Sequence, residues 1–264
     1  MTPEILRYYE TFDEHARLSN ALGQLEFTRT LELLARVLPA APARVLDIGG
    51  ATGPYSEALA AQGYEAHLLD LMPRHAQAAA RRPGIASAIV GDARLLPWRD
   101  QFADTVLLMG PLYHLTTAAE RTAALREARH VLKPGGVLAA AAISHFAPLL
   151  DGVLTGRIDD PSFQAILMRD LESGQHRNTA NDIHDFTTAY FHRPEELAAE
   201  VRKAGFDGVE VFPVEGIAGL APDLEQRWAD REKRDFLLDM ARRTEREASF
   251  IGATFHMLAI GRRA

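Results

Sequence analysis

The fold is decided by residues 45–54, whose sequence is Val-Leu-Asp-Ile-Gly-Gly-Ala-Thr-Gly-Pro. The apolar residues at its start are typical of a short buried strand, and Asp47 stands near the end of that strand. The small residues that follow allow a sharp turn in which the backbone comes close to a ligand. Pro54 suits the first turn of a helix, where unpaired N–H groups are available. The stretch therefore predicts a strand–turn–helix unit with a carboxylate at the strand tip.

The same alternation of strands and helices continues outward from this unit. We predict strands at 44–48, 66–69, 86–90, 105–109, 137–143, 209–212 and 253–260, and helices at 54–62, 74–81, 118–132 and 194–204. Strands that alternate with helices at this spacing predict an α/β fold with a parallel, doubly wound sheet. In such sheets the ligand lies outside the carboxyl ends of the strands, so the residues just after each strand become the candidate site.

Three segments flank or interrupt this pattern. Residues 4–37 have apolar residues at helical spacing and predict a helix, and we assign 1–43 to a helical cap. Residues 144–190 and 215–250 break the alternation, and long insertions on a compact core usually cover a binding site. We therefore predict one domain over 1–264, with a core at 44–143 and both insertions over the active site.

Charge and composition exclude several classes of protein. The formal net charge of −7 disfavours a nucleic-acid partner, which would require a basic surface. The chain has no cysteine, so neither disulfides nor thiol catalysis are available. The N-terminus lacks the apolar region of a signal peptide, and no stretch reaches the roughly 18 apolar residues of a membrane helix. We expect a cytoplasmic protein without membrane contact, as a monomer or homodimer.

Acidic residues stand at three successive strand tips: Asp47, Asp70 and Asp92. A carboxylate beside a pyrophosphate is repelled, whereas one beside an ammonium group is attracted. Asp47 and the glycine spacing therefore disfavour a nicotinamide dinucleotide. Asp70 is placed to accept hydrogen bonds from ribose hydroxyls, and Asp92 from an exocyclic amine. Local alternatives are a helix-terminal acid for Asp70 and a Gly-Asp turn for Asp92.

Five segments in order resemble the class I S-adenosylmethionine (SAM)-dependent methyltransferases. They are VLDIGGATG (45–53), HLLD (67–70), VGDARLLPW (90–98), FADTVLLMGPLYHL (102–115) and VLKPGGVLAAA (131–141). The resemblance is to the small-molecule type, with an N-terminal helical cap and inserted lid segments. It implies a Rossmann-like seven-stranded sheet whose last strand is antiparallel, and SAM as the cofactor of the core at 44–143.

The resemblance also implies a role for individual residues. Those expected to contact SAM in the core are Asp47, Gly49, Gly50, Ala51, Gly53, Asp70, Leu71, Asp92, Ala93, Met109 and Gly110, with Leu95 or Trp98 packing near the adenine. Ala51 replaces the family's usual central glycine. If its φ is positive, it carries strain on the order of 1 kcal/mol; otherwise its methyl group only narrows the pocket. In the cap, Tyr9 and Arg17 are expected to close over SAM, with Arg17 pairing with its carboxylate, unless they are ordinary residues of an amphipathic helix.

Methyl transfer to a hydroxyl or ammonium acceptor is helped by a general base. His114 is the candidate base because it follows the fourth strand, and Tyr113 is the candidate to orient the acceptor. An ordinary packing role is the alternative for His114. The residues expected to bind the acceptor are Tyr8, His145, His176, Arg177 and Tyr190. No spacing matches a metal-ligand template, so we expect no metal.

The leading hypothesis is O- or N-methylation of a small-molecule acceptor. Two alternatives keep SAM: intramolecular cyclisation or aminocarboxypropyl transfer, and a non-catalytic SAM-binding regulatory domain. The fourth hypothesis, an NAD-dependent dehydrogenase, is disfavoured by Asp47 and the glycine spacing.

Overall fold

The computed structural model describes residues 3–11, 17–178 and 186–264. The helices are α1 (Pro3–Thr11), α2 (Ala21–Ala35), α3 (Pro54–Ala60), α4 (Pro73–Ala79), α5 (Pro111–His114), α6 (Ala118–Val131), α7 (Ala147–Thr155), α8 (Pro161–Ser173), α9 (Pro194–Lys203), α10 (Leu224–Ala229) and α11 (Arg231–Thr244). The strands are β1 (Arg44–Ile48), β2 (Glu65–Asp70), β3 (Ser87–Val90), β4 (Ala103–Leu108), β5 (Leu132–Ile143), β6 (Gln175–His176), β7 (Ala189–Tyr190), β8 (Phe206–Pro213) and β9 (His256–Arg263). Short 3₁₀ helices cover Arg157–Asp159 and Gly216–Leu220.

Seven strands form one sheet in the order β3-β2-β1-β4-β5-β9-β8. Strands β1 to β5 pair in parallel, and β9 runs antiparallel to β5. The predicted doubly wound, seven-stranded sheet with an antiparallel last strand is therefore confirmed. The strand order reverses between β1 and β4, which places the expected ligand crevice at the carboxyl ends of these two strands.

Continuous apolar runs explain why the central strands form. Val45, Leu46 and Ile48 of β1 are fully buried, as are Val106 and Leu107 of β4. A strand that is covered on both faces of the sheet has a mostly apolar sequence because neither face meets water.

The chain separates into two compact units. Unit 1 comprises Met1–Glu32, Ala142–Glu196 and Val211–Leu258, and unit 2 comprises Leu33–Ala141, Leu197–Glu210 and Ala259–Ala264. Nearly all of the predicted core at 44–143 lies in unit 2, whereas both predicted insertions lie in unit 1. The single-domain assignment over 1–264 stays a prediction.

Unit 1 is held by its own apolar cluster. Ala21 and Leu25 of α2 pack with Ala218, with Trp228 of α10 and with residues of α11. The indole N–H of Trp228 donates to the side-chain oxygen of Gln24 at 2.7 Å, which satisfies its only donor.

Two predictions of local structure are wrong. Residues 4–37 are not one helix, because α1 ends at Thr11 and α2 begins only at Ala21; residues 12–16 lie outside the described ranges. The side chain of Asn20 accepts the backbone N–H of Gly23 at 2.8 Å and caps α2. The last strand spans His256–Arg263 rather than 253–260.

Among residues 3–11, 17–178 and 186–264, no helix is both long enough and apolar enough to cross a membrane.

Candidate functional site

Asp47, at the tip of β1, is a fully buried carboxylate. Its Oδ2 accepts the hydroxyl of Ser56 at 2.7 Å, and its Oδ1 has no hydrogen-bond partner among the described residues. Burial, opposed by the Ser56 hydrogen bond and reinforced by the charge of Asp70, raises the pKa of Asp47 to about 6. A buried carboxylate oxygen without a donor is costly, and it attracts an N–H donor or a cation.

The turn after β1 has three residues with positive φ: Gly49 at 73°, Ala51 at 48° and Gly53 at 82°. The φ of Ala51 is therefore positive. Its backbone lies in the left-handed region, where a non-glycine residue carries strain of about 1 kcal/mol. A Cβ at Gly50 would lie 2.5 Å from Cγ of Asp47, and one at Gly49 would lie 2.5 Å from Cδ of Pro111. Packing alone thus requires glycine at 49 and 50.

Asp70, at the tip of β2, is joined to this turn. Its Oδ2 accepts the backbone N–H of Ala51 at 2.9 Å, and its Oδ1 accepts the N–H of Met72 at 2.8 Å. Nδ1 of His75 lies 3.2 Å from the same Oδ1. A carboxylate offers about four acceptor positions, and the described residues use three of them, which leaves one on Oδ2 for a ligand hydroxyl. Asp70 accepts the N–H of Met72 just before α4 and keeps an acceptor position for a ligand. A role as a helix-terminal acid is therefore compatible with binding of a ribose hydroxyl.

Asp92, after β3, is engaged by Arg94. The guanidinium contacts Asp92 through Nη2 at 2.6 Å and Glu120 through Nη1 at 2.6 Å. The hydrogen bonds from Arg94 hold the pKa of Asp92 below its usual value. The expected turn is also present, since the Arg94 N–H donates to Asp92 Oδ1 at 2.9 Å. Leu95 beside it is 77% exposed, whereas Trp98 stacks on Phe102.

The loop after β4 carries the predicted catalytic residues. A Cβ at Gly110 would lie 3.2 Å from the carbonyl oxygen of Gly49, so the β1 and β4 loops touch. The Tyr113 hydroxyl donates to the carbonyl of Met109 at 3.4 Å. His114 ends α5, is only 6% exposed, and meets the Tyr113 ring edge-on with centroids 4.6 Å apart. In unit 2, the three strand-tip acids and both predicted catalytic residues therefore lie at or just after the carboxyl ends of four neighbouring strands, β3, β2, β1 and β4.

The predicted cap residues lie in unit 1 and contact other residues there. Arg17 forms an ion pair with Glu26. Tyr8 packs edge-on against Tyr9 at 5.2 Å and against Phe186 at 5.7 Å. Contact of Tyr9 and Arg17 with SAM stays a prediction, and the ion pair with Glu26 competes with it for Arg17.

His176 has both ring nitrogens in use. Nδ1 lies 2.7 Å from the buried carboxylate of Asp170, and Nε2 lies 3.0 Å from the carbonyl of Phe186. This histidine joins the end of α8 to the segment before β7, and no ring nitrogen is left over for an acceptor.

The remaining predicted acceptor-binding residues also have partners in unit 1. Nε2 of His145 lies 3.0 Å from the carbonyl of Leu171. Arg177 donates to the carbonyl of His176 at 3.0 Å, and the Tyr190 hydroxyl lies 3.5 Å from Glu196. Their acceptor-binding roles stay predictions.

Unit 1 also contains an ionic cluster that sequence reasoning missed. Nδ1 of His256 lies 2.6 Å from Oε1 of the fully buried Glu215 and 3.8 Å from Oε2 of Glu26. Burial opposes protonation, but the two carboxylates prevail and raise the pKa of His256 to about 9. One histidine and two glutamates have the composition of a divalent-metal site. However, the charges of His256 and Arg17 already balance both carboxylates, so we interpret the cluster as an ion network.

Other missed contacts differ in whether the sequence signals them. Arg94 stands two residues after Asp92, and an aspartate at that spacing is a known turn signal. Ser56 and His75 lie in the first turns of α3 and α4. Nothing in the sequence separates them from other helix residues.

Residues 46–140 match a family model described as a methyltransferase domain. A ubiquinone biosynthesis O-methyltransferase of Xylella fastidiosa is 32% identical over 66% of this chain, and the match spans only 65% of that relative's length. A ubiquinone/menaquinone biosynthesis C-methyltransferase of Acidiphilium cryptum is 32% identical over 70% of this chain and 74% of its own. A solved Thermotoga maritima structure, described as a SAM-dependent methyltransferase and possible histamine N-methyltransferase, has a TM-score of 0.60 at 19% identity and covers 100% of both chains. At that identity the likeness shows the fold alone.

Proposed function

The chain belongs to the class I SAM-dependent methyltransferases, and on that premise we propose that it methylates a small-molecule acceptor with SAM as the methyl donor. The observation that carries the proposal is the fully buried Oδ1 of Asp47, which has no hydrogen-bond partner in the described part of the chain. SAM bears both an ammonium and a sulfonium charge. Two further carboxylates stand at the neighbouring strand tips, and a pyrophosphate there would be repelled.

The residues of unit 2 fit SAM part by part. Asp47 Oδ1 would accept from the ammonium group, and the open position on Asp70 Oδ2 would accept from a ribose hydroxyl. Asp92 and Ala93 would meet the adenine, with Asp92 sharing its oxygens with Arg94. When bound, SAM supplies an electrophilic methyl group. Met109 and Gly110 would line the space beside it.

The acceptor must be oriented and, if it is a hydroxyl or ammonium group, deprotonated. We assign deprotonation of the acceptor to His114 and its orientation to Tyr113. Both residues come soon after Gly110, which contacts the turn after β1. His114 is nearly buried, so its imidazole is shielded from bulk water. The relative named for O-methylation in ubiquinone biosynthesis supports a hydroxyl acceptor.

Product analysis tests the reaction. The protein is incubated with SAM and a panel of hydroxylated aromatic and amine acceptors, and the nucleoside product is identified by mass spectrometry. Methyl transfer yields S-adenosylhomocysteine. Methylthioadenosine would instead show cyclisation or aminocarboxypropyl transfer, and binding of SAM without turnover of any acceptor would favour a regulatory domain.

Two variants test the assigned roles. His114→Gln should lower kcat by about 10²- to 10⁴-fold, the usual contribution of a general base, with little change in SAM affinity. Tyr113→Phe is the companion variant: it keeps the ring beside His114 and should mainly raise KM for the acceptor. An unchanged kcat in His114→Gln would remove the base assignment and leave His114 as a packing residue.

A further inference from the structure

The turn after β1 holds a side chain where a glycine is favoured. Ala51 has a φ of 48° and is flanked by Gly49 and Gly53, which are also left-handed. A non-glycine residue persists in this region only where its surroundings fix it. Two contacts do so: the N–H of Ala51 donates to Asp70 at 2.9 Å, and the carbonyl of the next residue, Thr52, accepts from Nε of Arg82.

Arg82 is placed to hold this turn from outside. It follows α4, and its side chain is 20% exposed. Nη2 lies 3.5 Å from the hydroxyl of Thr52, and Nη1 pairs with Glu57 in the first turn of α3. The backbone N–H of Glu57 in turn donates to the carbonyl of Gly53 at 2.9 Å. The guanidinium thus joins Thr52 to the start of the helix that follows the turn.

We propose that Arg82 is a positioning residue for SAM: by holding the Thr52 carbonyl and Glu57, it keeps the turn in the left-handed conformation that Ala51 disfavours. The inference rests on the proposed function, because it assumes that this turn binds SAM. It accounts for how the chain tolerates Ala51 in place of glycine. It also implies that the need for Arg82 depends on the residue at position 51.

A double-mutant cycle measures that dependence. S-adenosylhomocysteine is titrated by calorimetry into the wild type, Arg82→Ala, Ala51→Gly and the double variant. Arg82→Ala should weaken binding about tenfold in the native background, which corresponds to about 1.4 kcal/mol, and about twofold or less in the Ala51→Gly background. Arg81→Ala, which removes an exposed neighbouring arginine, is the matched control and should leave the affinity unchanged.

Each outcome decides the inference. An equal loss in both backgrounds, or no loss in either, overturns it, because a merely structural role for Arg82 would not depend on residue 51. If Arg82→Ala does not fold, Arg82→Met, which keeps an apolar stem and removes every N–H donor to the Thr52 carbonyl, takes its place, and the same comparison between the two backgrounds applies. Failure of the wild type to bind S-adenosylhomocysteine would instead refute the proposed function, and is thus a separate result.

Discussion

His256 should make the stability of unit 1 depend on pH. Its pKa is raised to about 9 in the folded chain by Glu26 and Glu215, against 6.5 for an unperturbed histidine. A raised folded-state pKa contributes stability that is fully present below about pH 6.5 and is lost as the pH rises through about 9. A difference of 2.5 pKa units at 1.36 kcal/mol per unit gives about 3 kcal/mol. The difference in the free energy of unfolding between the wild type and His256→Gln should therefore be about 3 kcal/mol larger at pH 6 than at pH 10.

The measurement is urea unfolding followed by the fluorescence of Trp228, which lies in the same unit as His256. The substitution Trp98→Phe, made in every variant, removes the other tryptophan of the chain. His130→Gln in the same Trp98→Phe background is the control, because the His130 side chain is 52% exposed and its Nδ1 lies 3.5 Å from Asp100; it should change the free energy of unfolding by less than about 0.5 kcal/mol. A stability gap between wild type and His256→Gln that is the same at both pH values would refute the ion network.

Three further predictions concern the buried carboxylates. Asp47→Asn should weaken S-adenosylhomocysteine binding by about 2 kcal/mol, roughly thirtyfold, through loss of a charge-assisted hydrogen bond; an affinity within twofold of the wild type in calorimetry would count against this role. Because the pKa of Asp47 is about 6 and a bound ammonium favours the ionised form, wild-type affinity should fall by up to about tenfold for each pH unit below 6, whereas a pH-independent affinity between pH 4.5 and 7 would contradict the assignment. His176→Ala should destabilise unit 1 by about 1–3 kcal/mol, because it leaves Oδ2 of the buried Asp170 without its hydrogen-bond partner; unchanged urea unfolding together with a raised acceptor KM would instead support the acceptor-binding role.

The sequence predicts the centre of the fold well because local signals and tertiary structure agree there. The apolar residues of β1 are typical of a strand inside a covered sheet, and the small residues at 49–53 allow the tight turn that follows it. A Cβ at Gly50 would meet the Asp47 carboxylate at 2.5 Å, so the motif is a packing requirement as well as a ligand signal. The sequence left the φ of Ala51 open, and the structure places it in the left-handed region at 48°.

The sequence does not predict which partners the long side chains choose. Arg17 pairs with Glu26 and Arg94 with Asp92 and Glu120, contacts that depend on how the chain folds around flexible guanidinium groups. Glu215 and His256 are 41 residues apart along the chain and meet only in the folded unit. The break before α2 did have a signal, the helix cap at Asn20, but the apolar periodicity continued across it.

The proposed function requires the strand-tip acids to bind a sulfonium nucleoside with an amino-acid side arm. Calorimetric titration of the wild-type chain with SAM, and separately with NAD, tests this in one experiment. We expect saturable binding of one SAM per chain and no heat with NAD. Saturable binding of NAD with no heat from SAM would contradict the proposed function.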